Sequence, residues 1–351
     1  MIIGIHPDRI GEESYSEKWT ECLRQLGVGV RQLNLLAQDG LDQARACEGV
    51  MWRWAHSADE KQSAQRILYT IEHYLDIPVY PNSRTAWHFD EKIAQTYLLQ
   101  ALAAPTPRTW LFWNCEEAQT WACKAEYPLV FKLSSGAGSS NVIKLTDSLQ
   151  AQELIRRSFF QGVFPGTMNE YAERPSFPRT KEALRRSIHR LRQAARYAWR
   201  GEYPSLPSGW FWRPEKGYAL FQEFLVGNAF DTRITVIGQR AFGFRRMNRK
   251  DDFRASGSGL IEYDPGAIDP QCVEIAFETS KLGGFQSMAY DFLYKDGAPL
   301  ICEISYAYAD WAVHNCPGHW DFELNWIEGQ MWPEEAQAKD FVNHIRLARG
   351  M

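Results

Sequence analysis

The chain has 351 residues, 45% of them apolar and 23% charged, so it is long enough for more than one domain with a sizeable core. Disordered, collagen-like and coiled-coil proteins are excluded. The 39 basic and 43 acidic residues give a net charge of -4, which argues against a protein whose main role is nucleic-acid binding. We find no long apolar segment and no signal-peptide pattern, and we expect a cytoplasmic protein without a transmembrane segment.

The first part of the chain alternates short apolar runs with amphipathic windows. The predicted elements are a strand at 2–7, a helix at 16–26, strands at 28–36 and 49–54, a helix at 59–75 and a strand at 78–80. This βαβ order predicts a parallel sheet. Because no G-x-G-x-x-G follows the first strand, we interpret residues 1–85 as a Rossmann-like domain without a dinucleotide site.

A second domain is predicted for residues 86–150, with a helix at 93–102 and strands at 109–112 and 129–133. A glycine-rich loop, SSGAGSS, follows these strands and leads into another strand. The small side chains of Gly136 and Gly138 allow backbone N–H groups to approach phosphate oxygens, and Lys132 adds a positive charge just upstream. An ordinary flexible hairpin loop is the alternative. No Gly-Lys pair occurs, which disfavours a P-loop.

Residues 151–216 differ in composition from their surroundings. Between Gln150 and Lys216 there are 13 basic and 6 acidic residues, an excess of +7. A helical apolar spacing within this segment predicts a long basic amphipathic helix, and we interpret 151–216 as a basic helical insert. Its charged face is either simply solvated or binds an anionic acceptor or, through 181–200, a membrane surface.

The last part, residues 217–351, is predicted to hold five apolar strands, the last two in one hairpin, with a helix at 270–282 and a closing helix at 333–348. Asp296-Gly297 between two apolar runs predicts a β-hairpin. The hairpin places Asp291 and Glu303 on adjacent antiparallel strands, where two carboxylates can bind Mg²⁺ beside nucleotide phosphates. Solvated side chains are the alternative.

Seven segments in this order resemble the motifs of the ATP-grasp ligases, in the branch that contains ribosomal-protein glutamate ligases and glutathione synthetase. After the Rossmann-like domain they are DEK, VFKLSSGAGSSNV, FQEFL, FDTRITVIGQRAFGFRR, DFRASGSG and DFLYKDGAPLICEIS. The resemblance covers about residues 1–150 and 218–310. It implies an α/β (α+β) chain with the ATP-grasp fold, in which two α+β subdomains clamp ATP after the N-terminal domain.

The resemblance also implies three sets of site residues. The nucleotide is expected to contact a phosphate lid, a hinge strand and a ribose-binding residue, through Lys92, Lys132, Ser135, Gly136, Gly138, Ser139, Gln222, Glu223, Leu225 and Asp231. Cations beside the γ-phosphate and the acyl phosphate are expected at Arg233, Arg246 and Arg254. The expected metal ligands are Asp291, Glu303 and Ser305. The family usually has Asn where this chain has Ser305. The hydroxyl is a shorter and weaker ligand, so we expect one Mg²⁺ ion, or two if water completes the second site.

The implied function is an ATP-dependent carboxylate-amine ligase that works through an acyl phosphate. Its cofactors are ATP and Mg²⁺, and its partners are a small-molecule or glycan carboxylate and an amine acceptor. The EISY and CPGHWD segments resemble ligases that amidate acidic sugars of bacterial surface polysaccharides. An amino-acid or peptide ligase of the glutamate-adding type is one alternative. A non-catalytic ATP-binding regulatory protein is another, left open by Ser305.

Overall fold

The computed structural model describes residues 1–8, 14–54, 58–136, 141–163, 214–248 and 259–350. Within these ranges the chain forms three β-sheets with flanking helices. The predicted basic helix at 181–200 lies outside the described residues, as do Gly138, Ser139 and Arg254.

The strands, in chain order, are β1 (Ile2–Ile5), β2 (Gly29–Gln32), β3 (Gly49–Met51), β4 (Val79–Tyr80), β5 (Thr109–Phe112), β6 (Leu129–Lys132), β7 (Val142–Leu145), β8 (Ala219–Glu223), β9 (Phe230–Ile237), β10 (Arg240–Met247), β11 (Ile261–Glu262), β12 (Ser287–Lys295), β13 (Ala298–Ser305), β14 (Gly318–Asp321) and β15 (Trp326–Glu328). The helices are α1 (Tyr15–Gln25), α2 (Gly40–Arg45), α3 (Ala58–Tyr74), α4 (Ser83–Ala86), α5 (Lys92–Ala101), α6 (Cys115–Ala122), α7 (Ser148–Phe160), α8 (Pro270–Gly283), α9 (Asp310–His314) and α10 (Pro333–Ala348).

The first sheet is parallel, in the order β2-β1-β3-β4, which confirms the βαβ prediction. Its strands are shorter than the apolar runs. The strand predicted to end at residue 54 ends at Met51; the Trp52 N–H still donates to the Tyr80 carbonyl at 2.9 Å, and the side chains of Trp52 and Trp54 are fully buried in the core. The apolar run at 49–54 therefore indicates which residues are buried, and it extends past the end of the strand.

Two antiparallel sheets follow. Strands β5, β8, β6 and β7 form one of them, and a larger sheet has the order β13-β12-β9-β10-β14-β15, with β11 pairing β10. The predicted hairpin is confirmed, with Asp291 of β12 opposite Glu303 of β13. The turn residue Asp296 has φ 51° and Gly297 has φ 83°, the left-handed geometry that an Asp-Gly turn supplies.

The cores extend across the predicted domain limits. Phe341 and Ile345 of α10 pack with Ile3 and Trp19 in the core of the first sheet. A second core runs from the first sheet into β9, β12 and β13. The division into separate domains at 1–85 and 217–351 remains a prediction. Because the two parts share both cores, we propose instead that they fold as one unit.

The predicted start of the insert falls inside α7. Ala151, Leu154 and Ile155 of this helix are buried with Phe131 and Phe221, so the helix belongs to the sheet of β5 to β8. We propose that the local excess of charge places the predicted boundary too early, because a helix packed on one face can still expose basic residues on the other. We propose that the insert begins after residue 163, where an isolated bridge joins residues 163 and 215.

The first turn of α10 holds a buried acid. Glu334 is fully buried, with one carboxylate oxygen 3.8 Å from Lys18 Nζ. Burial raises the pKa of Glu334 to about 8, and the neighbouring Asp310 adds to this effect. Because the folded pKa lies above the ordinary value, the stabilising contribution is complete at low pH and is lost as the pH rises towards 8.

We therefore expect Glu334→Gln to be more stable than the wild type at pH 8, by about 2 kcal/mol. The amide is uncharged at every pH, whereas at pH 8 the buried carboxyl must either carry a charge or hold a proton that it would lose in the unfolded chain. Near pH 5 the two proteins should differ little. Urea unfolding at both pH values measures this. The control is Glu335→Gln, which changes the neighbouring, half-exposed carboxylate. An equal difference at both pH values would rule out titration of Glu334 as the cause.

Candidate functional site

A cavity of about 380 Å³ lies between the sheet of β5 to β8 and the larger sheet. Its lining includes most of the predicted site residues that the structure describes: Lys132, Gln222, Glu223, Leu225, Asp231, Arg246, Asp291 and Glu303. Lys92 lies next to it and, with Lys132 and Gln222, lines a smaller cavity of about 30 Å³. Residues that are more than 150 positions apart in the chain thus converge on one crevice.

The end of β8 forms one wall of this cavity. The side chain of Glu223 is already bound, accepting hydrogen bonds from the Arg108 backbone N–H at 2.8 Å and from Lys295 Nζ at 2.5 Å. Gln222 Nε2 donates to Thr109 Oγ1 at 3.2 Å. These two side chains are therefore held by their own sheet and by β12, and what the wall offers a ligand is chiefly its backbone and the apolar residues that follow.

Four charged side chains form a network on three adjacent strands. Arg233 binds Asp291 through two hydrogen bonds of 2.6 and 2.7 Å. Arg246 binds Asp231 in the same two-pronged manner, at 2.7 and 2.6 Å, and its Nη2 is also 2.8 Å from Asp291. The strand register explains the pairs, because Arg246 stands opposite Asp231 and Arg233 opposite Asp291.

The network fixes the charge of Asp291. Burial alone would raise the pKa of this carboxyl, but Arg233 and Arg246 outweigh burial and hold its pKa well below the usual range. Burial also opposes the charge on Arg246, yet Asp291 and Asp231 raise its pKa further. The network of two arginines and two aspartates has no net charge. Charged side chains next to the network are therefore the ones that can attract a ligand.

The residues fit one Mg²⁺ ion that is shared with phosphates. Glu303 is 42% exposed at its side chain, and its contact with Lys92 is a loose 3.7 Å, so its oxygens are accessible. Asp291 opposite it keeps part of its acceptor capacity beside the guanidinium contacts. Mg²⁺ commonly uses one or two carboxylates together with substrate phosphates. The described residues contain no group of three His, Cys, Asp or Glu side chains that could enclose a metal.

Ser305, the third predicted ligand, is engaged elsewhere. Its hydroxyl donates to the Ala307 carbonyl at 2.8 Å and accepts from the Ala307 N–H at 3.2 Å. This local turn uses both the proton and one lone pair of the hydroxyl. Two ions remain a prediction, and the geometry favours one.

Two lysines supply positive charge inside the cavity. No hydrogen bond or ion pair holds Lys132 among the described residues, and burial lowers its pKa. A buried ammonium without a close partner suits an anionic ligand. The second lysine, Lys144, was not predicted from the sequence. It is exposed at the cavity wall, and its Nζ lies 3.9 Å from the ring centre of Phe224. Alternation along β7 could have indicated it, since Val142 two residues earlier faces the same cavity.

The DEK motif holds the base of the glycine-rich loop. The Gly136 N–H donates to Asp90 Oδ1 at 2.7 Å, and Lys92 Nζ donates to the Gly136 carbonyl at 2.8 Å. The loop therefore starts in a fixed direction. Lys92, expected to hold ATP phosphates, is positioned here by Gly136 and Glu303, with its ammonium between the loop and the carboxylate.

Gly136 is the glycine that this geometry requires. Its φ is +111°, and a Cβ atom there would lie 1.9 Å from Asn141 Nδ2, which itself donates to the Ser135 carbonyl at 2.7 Å. We expect Gly136→Ala to lower turnover about 10-fold or more, because the loop base must move away from Asn141. Steady-state ADP formation measures the effect.

The matched control is Gly329→Ala, at φ +126°, where a Cβ atom would have no neighbour within 4 Å. Both variants carry the backbone strain, and only Gly136→Ala adds the collision. Similar turnover in the two variants would mean that the loop base does not control activity.

Glu215 was not found by sequence analysis, although it holds the same loop. Its carboxylate accepts hydrogen bonds from the backbone N–H groups of Ser134 at 2.7 Å and Ser135 at 2.9 Å, and also binds the Ser135 hydroxyl and the Tyr218 hydroxyl. The donors of Ser135, expected to face phosphate, are thus used to anchor the loop. The contact joins residues 80 positions apart, which no local pattern reveals.

His314, His319 and Cys316 lie outside the lining of the cavity, whereas Cys302 of β13 lines it. His314 stacks on Trp332, with ring centres 3.9 Å apart. His319 is buried, and burial lowers its pKa. Burial raises the pKa of both Cys302 and Cys316 to about 12, so these thiols stay protonated and are poor nucleophiles.

Comparison with solved structures identifies the fold. The chain matches the RimK domain protein ATP-grasp from Sphaerobacter thermophilus at a TM-score of 0.53 and 13% identity, covering 98% of this chain and 100% of that one. The chain has the ATP-grasp fold. D-cycloserine synthetase DcsG matches at a TM-score of 0.58 and 12% identity over 98% and 100% of the two chains. The ATP-grasp ligase PsnB, complexed with minimal precursor, Mg and ADP, matches at 0.55 and 13% over 98% of each.

The ATP-grasp fold predicted from the ordered motifs is thereby confirmed. No protein-family model and no curated protein matches the sequence. Among the described helices, none combines the length and apolar character needed to cross a membrane.

Proposed function

We propose that this ATP-grasp chain is an ATP-dependent carboxylate-amine ligase. The observation that carries the proposal is the cavity itself, in which the end of β8, the unpaired Lys132 and the facing carboxylates Asp291 and Glu303 meet. An ammonium and a carboxylate pair on opposite walls suit a triphosphate with its metal ion. PsnB, which shares the fold, was solved with Mg and ADP.

In the proposed mechanism, this chain's residues bind and orient the reactants. Lys132 binds a phosphate oxygen, and the Gly136 loop, held by Asp90 and Lys92, covers the phosphates and excludes water. Arg246 is kept charged by its aspartates and holds Asp291 in place, and Lys132 beside this network stabilises negative charge that develops on the transferred group. Mg²⁺ at Glu303 and Asp291 would neutralise phosphate charge during the transfer.

The reaction makes a poor electrophile reactive. The substrate carboxylate attacks the γ-phosphorus of ATP, the bond to the β-phosphate oxygen breaks, and ADP leaves with that electron pair. The resulting acyl phosphate is attacked at carbon by an amine, and phosphate departs as an amide forms. The same sequence of steps serves an acidic sugar of a surface polysaccharide, the substrate class implied by the fainter resemblance, or an amino acid or peptide.

A screen of acids tests this proposal. Purified protein is incubated with ATP, Mg²⁺, hydroxylamine and one acid at a time, drawn from hexuronic acids, amino acids and short acidic peptides. The proposal requires ADP and a hydroxamate to appear together with at least one class, and that class identifies the substrate. ATP binding without acid-dependent ADP release from any class would favour the non-catalytic nucleotide-binding alternative. The cytoplasmic location and the amine acceptor remain predictions.

A further inference from the structure

Arg53 lies two residues beyond the end of β3, at the carboxyl edge of the parallel sheet. In the order β2-β1-β3-β4, β2 lies on one side of β1, and β3 and β4 lie on the other side. Strands β1 and β3 therefore flank the switch point of this sheet. In open α/β sheets, ligands bind in the crevice outside the carboxyl ends of the strands at such a point. Arg53 stands where this architecture places a ligand.

Two donor atoms of the Arg53 guanidinium are unpaired. Its Nε and Nη1 atoms are buried, and neither has a hydrogen-bond partner among the described residues. Its plane lies against the ring of Tyr15, with Cζ 4.2 Å from the ring centre, a contact that leaves the N–H groups unused. An arginine remains charged at all physiological pH values, and buried charges in proteins are normally paired. Two buried donor atoms of a charged guanidinium without a partner among the described residues therefore indicate an anion that binds there.

Two acids near this guanidinium, Asp310 and Glu334, are engaged elsewhere or uncharged. Asp310 pairs with Lys18 at 2.5 Å. Glu334 is buried, and burial raises its pKa to about 8, so it is mainly uncharged at pH 7. Asp8, three residues beyond the end of β1, has one oxygen bonded to Ser16 and the other buried without a partner in the described part of the chain.

Hydrogen bonds join the residues around Arg53 to the segment that follows the metal strand. Beyond Glu303 and the end of β13, the Tyr306 hydroxyl donates to the Trp54 carbonyl at 3.0 Å and accepts from the Trp54 N–H at 3.3 Å. The Tyr308 carbonyl accepts from the Tyr15 hydroxyl at 2.8 Å. The chain that leaves the metal site is thus bound to Trp54, which follows Arg53 in the chain, and to Tyr15, whose ring lies against the guanidinium.

We infer that Arg53 binds a non-reacting carboxylate of a substrate. The inference rests on the proposed ligase function. The carboxylate that becomes activated must lie in the nucleotide cavity beside Lys132 and Glu303, which Arg53 does not line. The group at Arg53 is therefore a second one, and the substrate class is an acid with two carboxylates or an amine that carries one of its own. A bidentate guanidinium contact would fix the orientation of this substrate.

Acetate is the probe, because it presents a carboxylate without the rest of a substrate. Thermal unfolding is measured in 0.3 M sodium acetate and in 0.3 M sodium chloride for the wild type, Arg53→Met and Arg53→Gln. The control is Arg24→Met, which removes an exposed arginine of α1. We expect acetate to raise the Tm of the wild type and of the control by about 2 °C more than that of either Arg53 variant.

In chloride, the Arg53 variants should unfold at or above the wild-type Tm, because an unmatched buried charge has been removed. A lower Tm in both variants would show a structural role, and an acetate effect that survives in them would place the anion elsewhere; either result overturns the inference. ATP with Mg²⁺ should raise the Tm of wild type and variants alike. If ATP fails to do so, the proposed function is at fault, and the acetate comparison still decides the role of Arg53.

Discussion

Glu303→Gln is expected to reduce acid-dependent ADP formation about 100-fold or more while leaving the free energy of unfolding nearly unchanged. The amide keeps the size of the side chain and removes the charge that the metal ion needs. Stability should hold because Glu303 is substantially exposed and its nearest cation, Lys92, is 3.7 Å away. Glu328→Gln, an exposed glutamate on β15, is the control. Normal turnover in folded Glu303→Gln would show that this carboxylate is not a metal ligand.

Asp291→Asn is expected to lose activity to a similar degree and to lose stability as well. Its carboxylate is the shared partner of Arg233 and Arg246, so the amide leaves two largely buried guanidiniums incompletely paired. Breaking a buried ion pair costs about 3 kcal/mol. Urea unfolding beside the kinetic assay separates the two losses. The sequence alone predicts no such difference between the two metal ligands, since the arginines enter only through the strand register.

Lys132→Ala is expected to weaken ATP binding about 10- to 100-fold, the loss of one charged contact to phosphate. The unliganded variant should be as stable as the wild type or more stable, because burial lowers the pKa of Lys132 more than Cys302, Glu303 and Asp291 raise it. Opposite signs for affinity and stability distinguish a ligand-binding residue from a structural one.

Isothermal titration with ATP and Mg²⁺, together with urea unfolding, measures both effects of the lysine substitution. Lys124→Ala is the control, an exposed lysine outside the cavity. Unchanged ATP affinity in folded Lys132→Ala would remove this lysine from the phosphate site, and a marked loss of stability would mean that it has a protein partner.

Local signals in the sequence were sufficient for the hairpin and for the closing helix. Asp296-Gly297 imposes a tight turn on two apolar runs and so predicts that Asp291 and Glu303 lie on adjacent strands. Counting residues back from the turn would pair Asp291 with Cys302, and a register shift between Asp291 and Phe292 makes Glu303 the partner instead. The helix predicted at 333–348 has the same limits in the structure, because Pro333 is favoured in the first turn and cannot extend the helix backwards.

Other parts of the site depend on contacts that the sequence does not encode locally. Glu215 anchors the glycine-rich loop across 80 positions, and its neighbours in the chain give no periodic signal. Arg53 follows an apolar strand and looks like a solvated residue until the packing of Tyr15 and the lack of a partner are seen. The small helix α6 did carry a cap signal, since Asn114 accepts from the N–H groups of Glu116 and Glu117, and it was overlooked.

The most direct test of the central claim follows one oxygen atom. The acid that gives a hydroxamate in the screen is labelled with ¹⁸O in both carboxylate oxygens and converted with ATP, Mg²⁺ and an amine, and the released phosphate is examined by mass spectrometry. Activation through an acyl phosphate transfers one labelled oxygen to phosphate, because the bond between the acyl carbon and that oxygen breaks when the amine attacks. We predict one ¹⁸O per phosphate released. Phosphate without the label, formed at the same rate as the amide, would contradict the proposed mechanism.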